Sequence, residues 1–345
     1  MALAYTYIRR NRWCSTLFIV LFALSLMLFT YLTVYGLYVL GGILSYFRPT
    51  GFLTWGSTWS RAFYQTLDTC KWVLPICVLV SAFWVRLAIK EGAEFILARV
   101  RGVRPLLKWD AEEAYTILET LCIRTGDPMP RLYELQDSSM NAFSVGARPE
   151  DAAIVLSSGL LEKLSRVQLE GVLAHELAHL RNLDVRTMTI MMTCLAFFTF
   201  AGEYFFYGTE KYDIYEQGNI DLRHVSRPMG PLAYIGLMLM IYGYFVAPLL
   251  RLGLSRTRER LADAEAALTT RYPRGLARAL WQISSDCHLE ALRNSLLLGA
   301  LCIMTPKEKP NLFEWLSGLA ASHPPVEERI RALNDMDSMF TDFSS

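Results

Sequence analysis

His175 and His179 lie four residues apart, with Glu176 directly after the first, in the run Leu-Ala-His-Glu-Leu-Ala-His-Leu. On a helix, positions four apart share one face, so both imidazoles can turn toward a single metal ion while Glu176 is offset enough to address a water beside it. Zinc suits such nitrogen and oxygen ligands and can lower the pKa of a bound water to about 7, which is the chemistry of metal-assisted hydrolysis. A third ligand must come from elsewhere. A His six residues beyond the second one is the metzincin solution, and here that position is Val185. The segment Ser255 to Asp263 offers Glu259 and Asp263 one turn apart. Glu259 could bind the metal while Asp263 accepts the remaining N–H of a ligating His and fixes its tautomer. Taken alone, this Arg- and Glu-rich segment reads better as a solvated helix.

What must position these residues is in large part hydrophobic. Of 345 residues, 53% are hydrophobic and only 19% are charged, which excludes a disordered chain and argues against an ordinary water-soluble globule. A formal net charge of +1 leaves no global basic field of the kind that drives nucleic-acid binding, so lipid and protein are the expected partners. Four apolar stretches are candidate membrane spans: Leu17 to Leu44, Trp72 to Ile89, Thr187 to Tyr207 and Met229 to Leu250. The first is too long for a signal peptide's apolar region. Basic residues flank the start of the first span, the end of the second, the start of the third and the end of the fourth, whereas Glu210, Asp213, Glu216 and Asp221 lie between the last two. The positive-inside rule then places both termini and the segment between the hairpins in the cytosol. Two crossings separate His179 from Glu259 and return the chain to its starting side, so Glu259 can reach the two imidazoles. His224 falls in the opposite-side loop, and His288 beside Cys287 has no ligand spacing. Seven cysteines at irregular spacings make a disulfide framework improbable.

The remaining chain reads as a small α+β domain. A helix is expected over Ala111 to Arg124 with Asp110 as N-cap, strands over Leu132 to Gln136 and Ala152 to Leu156, and an extended segment over Asn141 to Val145. Helices follow over Ser165 to Leu180, Arg256 to about Leu268 and Leu276 to Leu292, and then a short apolar run, Leu296 to Met304. The basic run Arg99 to Lys108 reads as a solvated face or an anionic-lipid contact. The domain plan is an N-terminal transmembrane hairpin over 1–90, a first catalytic part over 91–186, a second hairpin over 187–253 and a second catalytic part over 254–345.

The ordered set Asn141 to Gly146, Ser157 to Leu161, His175 to His179, Ser255 to Asp263 and Ser322 to Arg329 resembles the HtpX group of membrane zinc metallopeptidases, relatives of the CaaX prenyl endopeptidases. The resemblance covers nearly the whole chain. It implies a mainly α polytopic protein with four transmembrane helices and a gluzincin-type catalytic domain carrying a small sheet. His175, His179 and Glu259 would hold one zinc, Glu176 would be general base, and Asp263 would support a ligand. Asn141, Ala142 and Phe143 would form the edge strand that pairs with an extended substrate, and His323 and Arg329 would stabilise the oxyanion. From sequence alone, Asn141 to Phe143 reads equally as an ordinary strand or turn, and His323 with Pro324 reads more readily as a turn. The implied activity is endopeptidase cleavage of membrane or unfolded proteins in quality control, in a bacterial inner membrane. Prenyl-protein processing and a catalytically silent scaffold are the alternatives. The chain departs from the family in three places. Asn182-Leu183-Asp184 replaces the usual Asn-Gly-Asp, which argues against a glycine-dependent bend. Arg260 stands where an aromatic is usual, and the connection from Tyr46 to Thr69 is long.

Overall fold

The computed structural model describes residues 2–46, 55–207, 234–239, 241–242, 256–286, 302–303 and 324–342. The helices are α1 (Ala2–Tyr46), α2 (Trp55–Leu97), α3 (Glu112–Thr125), α4 (Ser158–Lys163), α5 (Arg166–Arg181), α6 (Asp184–Tyr207), α7 (Arg256–Thr270), α8 (Pro273–Ser285) and α9 (Val326–Asp342). The strands are β1 (Val103–Pro105), β2 (Arg131–Leu135), β3 (Ala142–Val145) and β4 (Ala153–Ser157). They form one sheet in the order β1-β2-β4-β3, with β2 and β4 parallel and the other pairs antiparallel. The fold is therefore mainly helical with a small mixed sheet.

The chain divides into two compact units. One comprises Met1–Ser15, Leu87–Thr193 and Ala247–Ser345, and the other Thr16–Arg86 and Cys194–Val246. In the first unit, strand alternation gives the sheet two apolar faces. Ala142, Ile154, Leu156 and Leu132 pack with residues of α3, α5, α7 and α8, while Phe143, Val145, Ala153 and Val155 pack with Ala93, Ile96 and Leu97 of α2 and Met188 and Met192 of α6. Each fully buried Leu or Ile in these layers contributes about 1.5–3 kcal/mol. The α5 helix can sit deep because α8 crosses it closely. A Cβ on Gly171 would lie 2.7 Å from the backbone nitrogen of Leu276, and one on Gly275 would lie 2.8 Å from the Val167 carbonyl.

Among the described residues, two helical stretches are long and apolar enough to cross a membrane, Ser15–Leu44 and Trp59–Leu97. In the second unit, Tyr38 Oη and Thr69 Oγ1 join α1 to α2 at 2.8 Å. The long connection expected after Tyr46 is mostly helix, since α2 begins at Trp55. The third expected span coincides with α6, whose residues from Val185 to Leu195 are largely buried by protein. Most of the fourth lies outside the described residues; its described parts, 234–239 and 241–242, are helical.

One local expectation is corrected. The N-cap of α3 is Ala111, without a side-chain cap bond, so Asp110 does not cap it. The basic run Arg99 to Lys108 is solvated as expected, with Arg99, Arg101, Arg104 and Lys108 all exposed, and within it Val103–Pro105 forms β1 against β2. The bend after α5 does form without glycine: Leu183 itself adopts φ 59°. Helix α5 is capped by Ser165, which forms a capping box with Gln168.

Candidate metal centre

The α5 helix buries the continuous run Gly171 to Ala178, His175 and Glu176 included, and α7 buries Arg258, Glu259 and Asp263. Where they meet, one ligand atom from each of His175, His179 and Glu259 lies within 4.8 Å of the others. The two Nε2 atoms are 3.2 Å apart, with Glu259 Oε1 3.4 Å from His179 Nε2 and Glu259 Oε2 3.7 Å from His175 Nε2. Ligands at zinc distances of 2.0–2.1 Å in a tetrahedron stand about 3.3–3.4 Å from one another, so this donor set fits such an ion. Charge agrees with geometry. Buried around the cluster are four carboxylates (Glu176, Asp184, Glu259, Asp263) and two guanidiniums (Arg258, Arg329), a formal excess of two negative charges that a divalent cation offsets.

Each imidazole has a carboxylate behind it. His179 Nδ1 pairs with Asp184 Oδ2 at 3.1 Å, and His175 Nδ1 lies 3.0 Å from Asp263 Oδ1, close but without the alignment of a hydrogen bond. Burial opposes a proton on His179, yet Glu259 and Asp184 outweigh it and hold the ring's pKa well above its ordinary value. Metal uptake must displace that proton, so affinity falls as pH falls. Asp184 in turn has Arg258 Nη1 3.5 Å from its other oxygen.

Arg329, on α9, is fully buried. Its Nε and Nη2 donate to the two oxygens of Asp263 at 2.8 and 2.7 Å, and Nη1 donates to the Ile303 carbonyl at 3.0 Å. Burial works against the guanidinium's charge, but Asp263, Glu259 and Glu176 together raise its pKa further. Burial likewise opposes ionisation of Asp263, and Arg329 with His175 reverses this, lowering the carboxyl to about 2. Arg329 also comes within 3.4 Å of His175 Nε2 and 3.5 Å of Glu259 Oε2.

Glu176 is 2% exposed and accepts a 2.6 Å hydrogen bond from Ser144 Oγ on β3. That strand is the terminal one in the sheet order. Its outward side meets the chain itself, through an antiparallel bridge between Phe143 and Cys302 and a 2.8 Å bond from the Ile303 N–H to the Ala142 carbonyl. Asn141 precedes the strand and is 1% exposed; its N–H donates to Ser157 Oγ and its Oδ1 accepts from the Ala142 N–H. His323, like His224 and His288, lies outside the described residues.

Sequence reasoning missed Asp184, Arg258 and Ser144. Asp184 had a usable signal, since it follows the helix of the two histidines by one tight turn. Ser144 had another: it shares strand parity with Ala142 on the face toward α5.

Residues 108–337 match peptidase family M48. The protease HtpX homolog of Dictyoglomus thermophilum is 34% identical over 265 residues, covering 76% of this chain and 81% of that protein. The homolog from Bacteroides fragilis is 35% identical over 262 residues, covering 76% and 80%. The crystal structure of S. mikatae Ste24p aligns with a TM-score of 0.45 at 25% identity, over 77% of this chain and 59% of that one. Zinc and the HExxH motif are typical of the matched family. The chain belongs to peptidase family M48 and is an HtpX-like metalloprotease.

Proposed function

We propose that this protein is a membrane-integrated zinc endopeptidase that hydrolyses peptide bonds of membrane or unfolded proteins, and that it serves protein quality control. The convergence of His175, His179 and Glu259 on one point, with Glu176 buried beside them, carries the reading. Those three residues would hold a single zinc. Such an ion supplies a Lewis acid for the scissile carbonyl and brings the pKa of a water toward neutrality.

The chain's own residues do the rest. Glu176 takes the proton of the attacking water and passes it to the leaving amine, with no covalent enzyme intermediate. Asp184 and Asp263 orient the two imidazoles from behind. Arg329 keeps Asp263 charged and adds positive potential next to the cluster, where negative charge develops on the carbonyl oxygen. An extended substrate pairs along β3, which grips main chain with little regard for sequence. To do so it must exchange with Ile303 for the Ala142 carbonyl.

Two long apolar helices and the distribution of basic residues support a membrane location with the termini and catalytic residues in the cytosol. Bacterial relatives favour an inner membrane. The test is metal analysis of the detergent-purified full chain alongside cleavage of a fluorogenic unfolded polypeptide by wild type and Glu176→Gln. The variant should retain about one zinc per chain and lose at least roughly 100-fold in turnover. Equal cleavage by both proteins would reject Glu176 as the base.

A further inference from the structure

Ser144 is a polar side chain in an apolar place. It lies in the middle of β3, 3% exposed, on the strand face it shares with Ala142 and toward α5. Directly opposite on β4 is the fully buried Ile154. A hydroxyl buried in such surroundings is costly unless it is hydrogen-bonded. The residue two positions earlier on the same face, Ala142, is fully buried and apolar. Among the described residues, the Ser144 hydroxyl has one hydrogen bond, the 2.6 Å donation to Glu176 Oε2, and that carboxylate has no other.

We propose that Ser144 is a positioning residue for the general base, an inference that rests on reading Glu176 as that base. A glutamate side chain has three rotatable bonds, and burial alone does not choose which carboxylate oxygen faces the metal centre. Donation to Oε2 fixes the carboxylate plane and leaves Oε1 to receive the water's proton. The same residue belongs to the strand along which a substrate pairs, so base and substrate are registered to one short piece of backbone. Misplacing a catalytic group by about 1 Å can cost on the order of 100-fold in rate.

The test compares wild type, Ser144→Ala, Glu176→Gln and the double variant as full-length protein in detergent. Ser144→Ala should keep wild-type zinc content, change KM by less than about twofold, and lower kcat about tenfold, a fraction of what a positioned base supplies. In the Glu176→Gln background the same substitution should change the residual rate by less than about twofold, because its route to the chemistry is gone. Wild-type kcat in Ser144→Ala overturns the inference, as does a tenfold loss that persists in the Glu176→Gln background or one that tracks lost zinc. Full turnover by Glu176→Gln removes the base itself, whereas an unimpaired Ser144→Ala beside an inactive Glu176→Gln removes only Ser144.

Discussion

The two helices that build the centre bury charge in different ways. The α5 helix carries His175 and Glu176 among Leu169, Val172, Leu173 and Leu177, so its buried face would pack against the sheet with or without the site. The α7 helix has no such face of large side chains. Between Arg258, Glu259 and Asp263 it offers only Ala262, and beyond them Ala266 and Ala267. Its burial depends on partners for its charges: Arg329 for Asp263, Asp184 for Arg258, and the imidazole pair for Glu259. A helix like α5 is held by shape, and a helix like α7 by neutralisation. The second kind should fail when a single counter-charge is removed.

Arg329→Leu is the strongest way to break that contrast. It strands a buried Asp263, and removing one partner of a buried pair costs about 3–5 kcal/mol. Denaturant titration of the detergent-solubilised protein should show a loss of that size, with much of it recovered by adding Asp263→Leu, since an apolar pair tolerates the same burial. A loss below about 1 kcal/mol would place α7 in the same class as α5. The pair also sets an acid limit. Asp263 is lowered from 3.8 to about 2, so its contribution is complete above the ordinary value and is lost as pH falls toward the folded one.

The same contrast explains what could be read from the chain before its structure. The α5 helix was legible because the spacing of His175 and His179 and the helical pattern from Ser165 to Leu180 agree on one element. Glu259 was reachable through the return of the chain and the family resemblance, while the local composition of α7 pointed to solvent. Nothing in the sequence of α9 announces that Arg329 will be fully buried, because its burial is set by Asp263, 66 residues earlier. The pairing of Cys302 with Phe143 is non-local in the same sense, and so is the β1 strand inside a run of arginines. Short-range pattern names the elements. Long-range charge pairing decides which polar residues go inside.

A second experiment sharpens the comparison at the imidazoles, each of which has its own carboxylate. Asp184, at the start of α6, backs His179, and Asp263, on α7, lies behind His175. Asp184→Asn keeps the shape and removes the charge. Zinc affinity, measured by competition with a chromophoric chelator, should fall about 10–100-fold, the usual cost of losing an outer-shell partner. Asp184 is also the acceptor facing Arg258 of α7. An unchanged affinity would mean that Asp184 serves to neutralise that arginine and leaves the imidazole alone.

The smallest effect concerns the bend that brings Asp184 back to His179. Helix α5 ends at Arg181, Asn182 caps it, and Leu183 turns left-handed at φ 59° before α6 begins, the position where helices most often place glycine. A left-handed residue with a Cβ costs about 1–2 kcal/mol. The Leu183 side chain is half-buried and lines a cavity of about 190 Å³ with Leu177, Leu180 and Val185, so trimming it forfeits limited packing. Glycine relieves the strain but gains freedom in the unfolded chain, which returns part of the benefit. Leu183→Gly should therefore stabilise the protein by about 0.5–1 kcal/mol in denaturant titration, with zinc affinity unchanged, while Leu183→Ala should show no gain because alanine keeps the Cβ. If glycine instead loosens zinc, the bend depends on the leucine's packing to hold Asp184 in place. The α5 side of the centre would then rest on a contact of its own and not on backbone geometry, which would narrow its difference from α7.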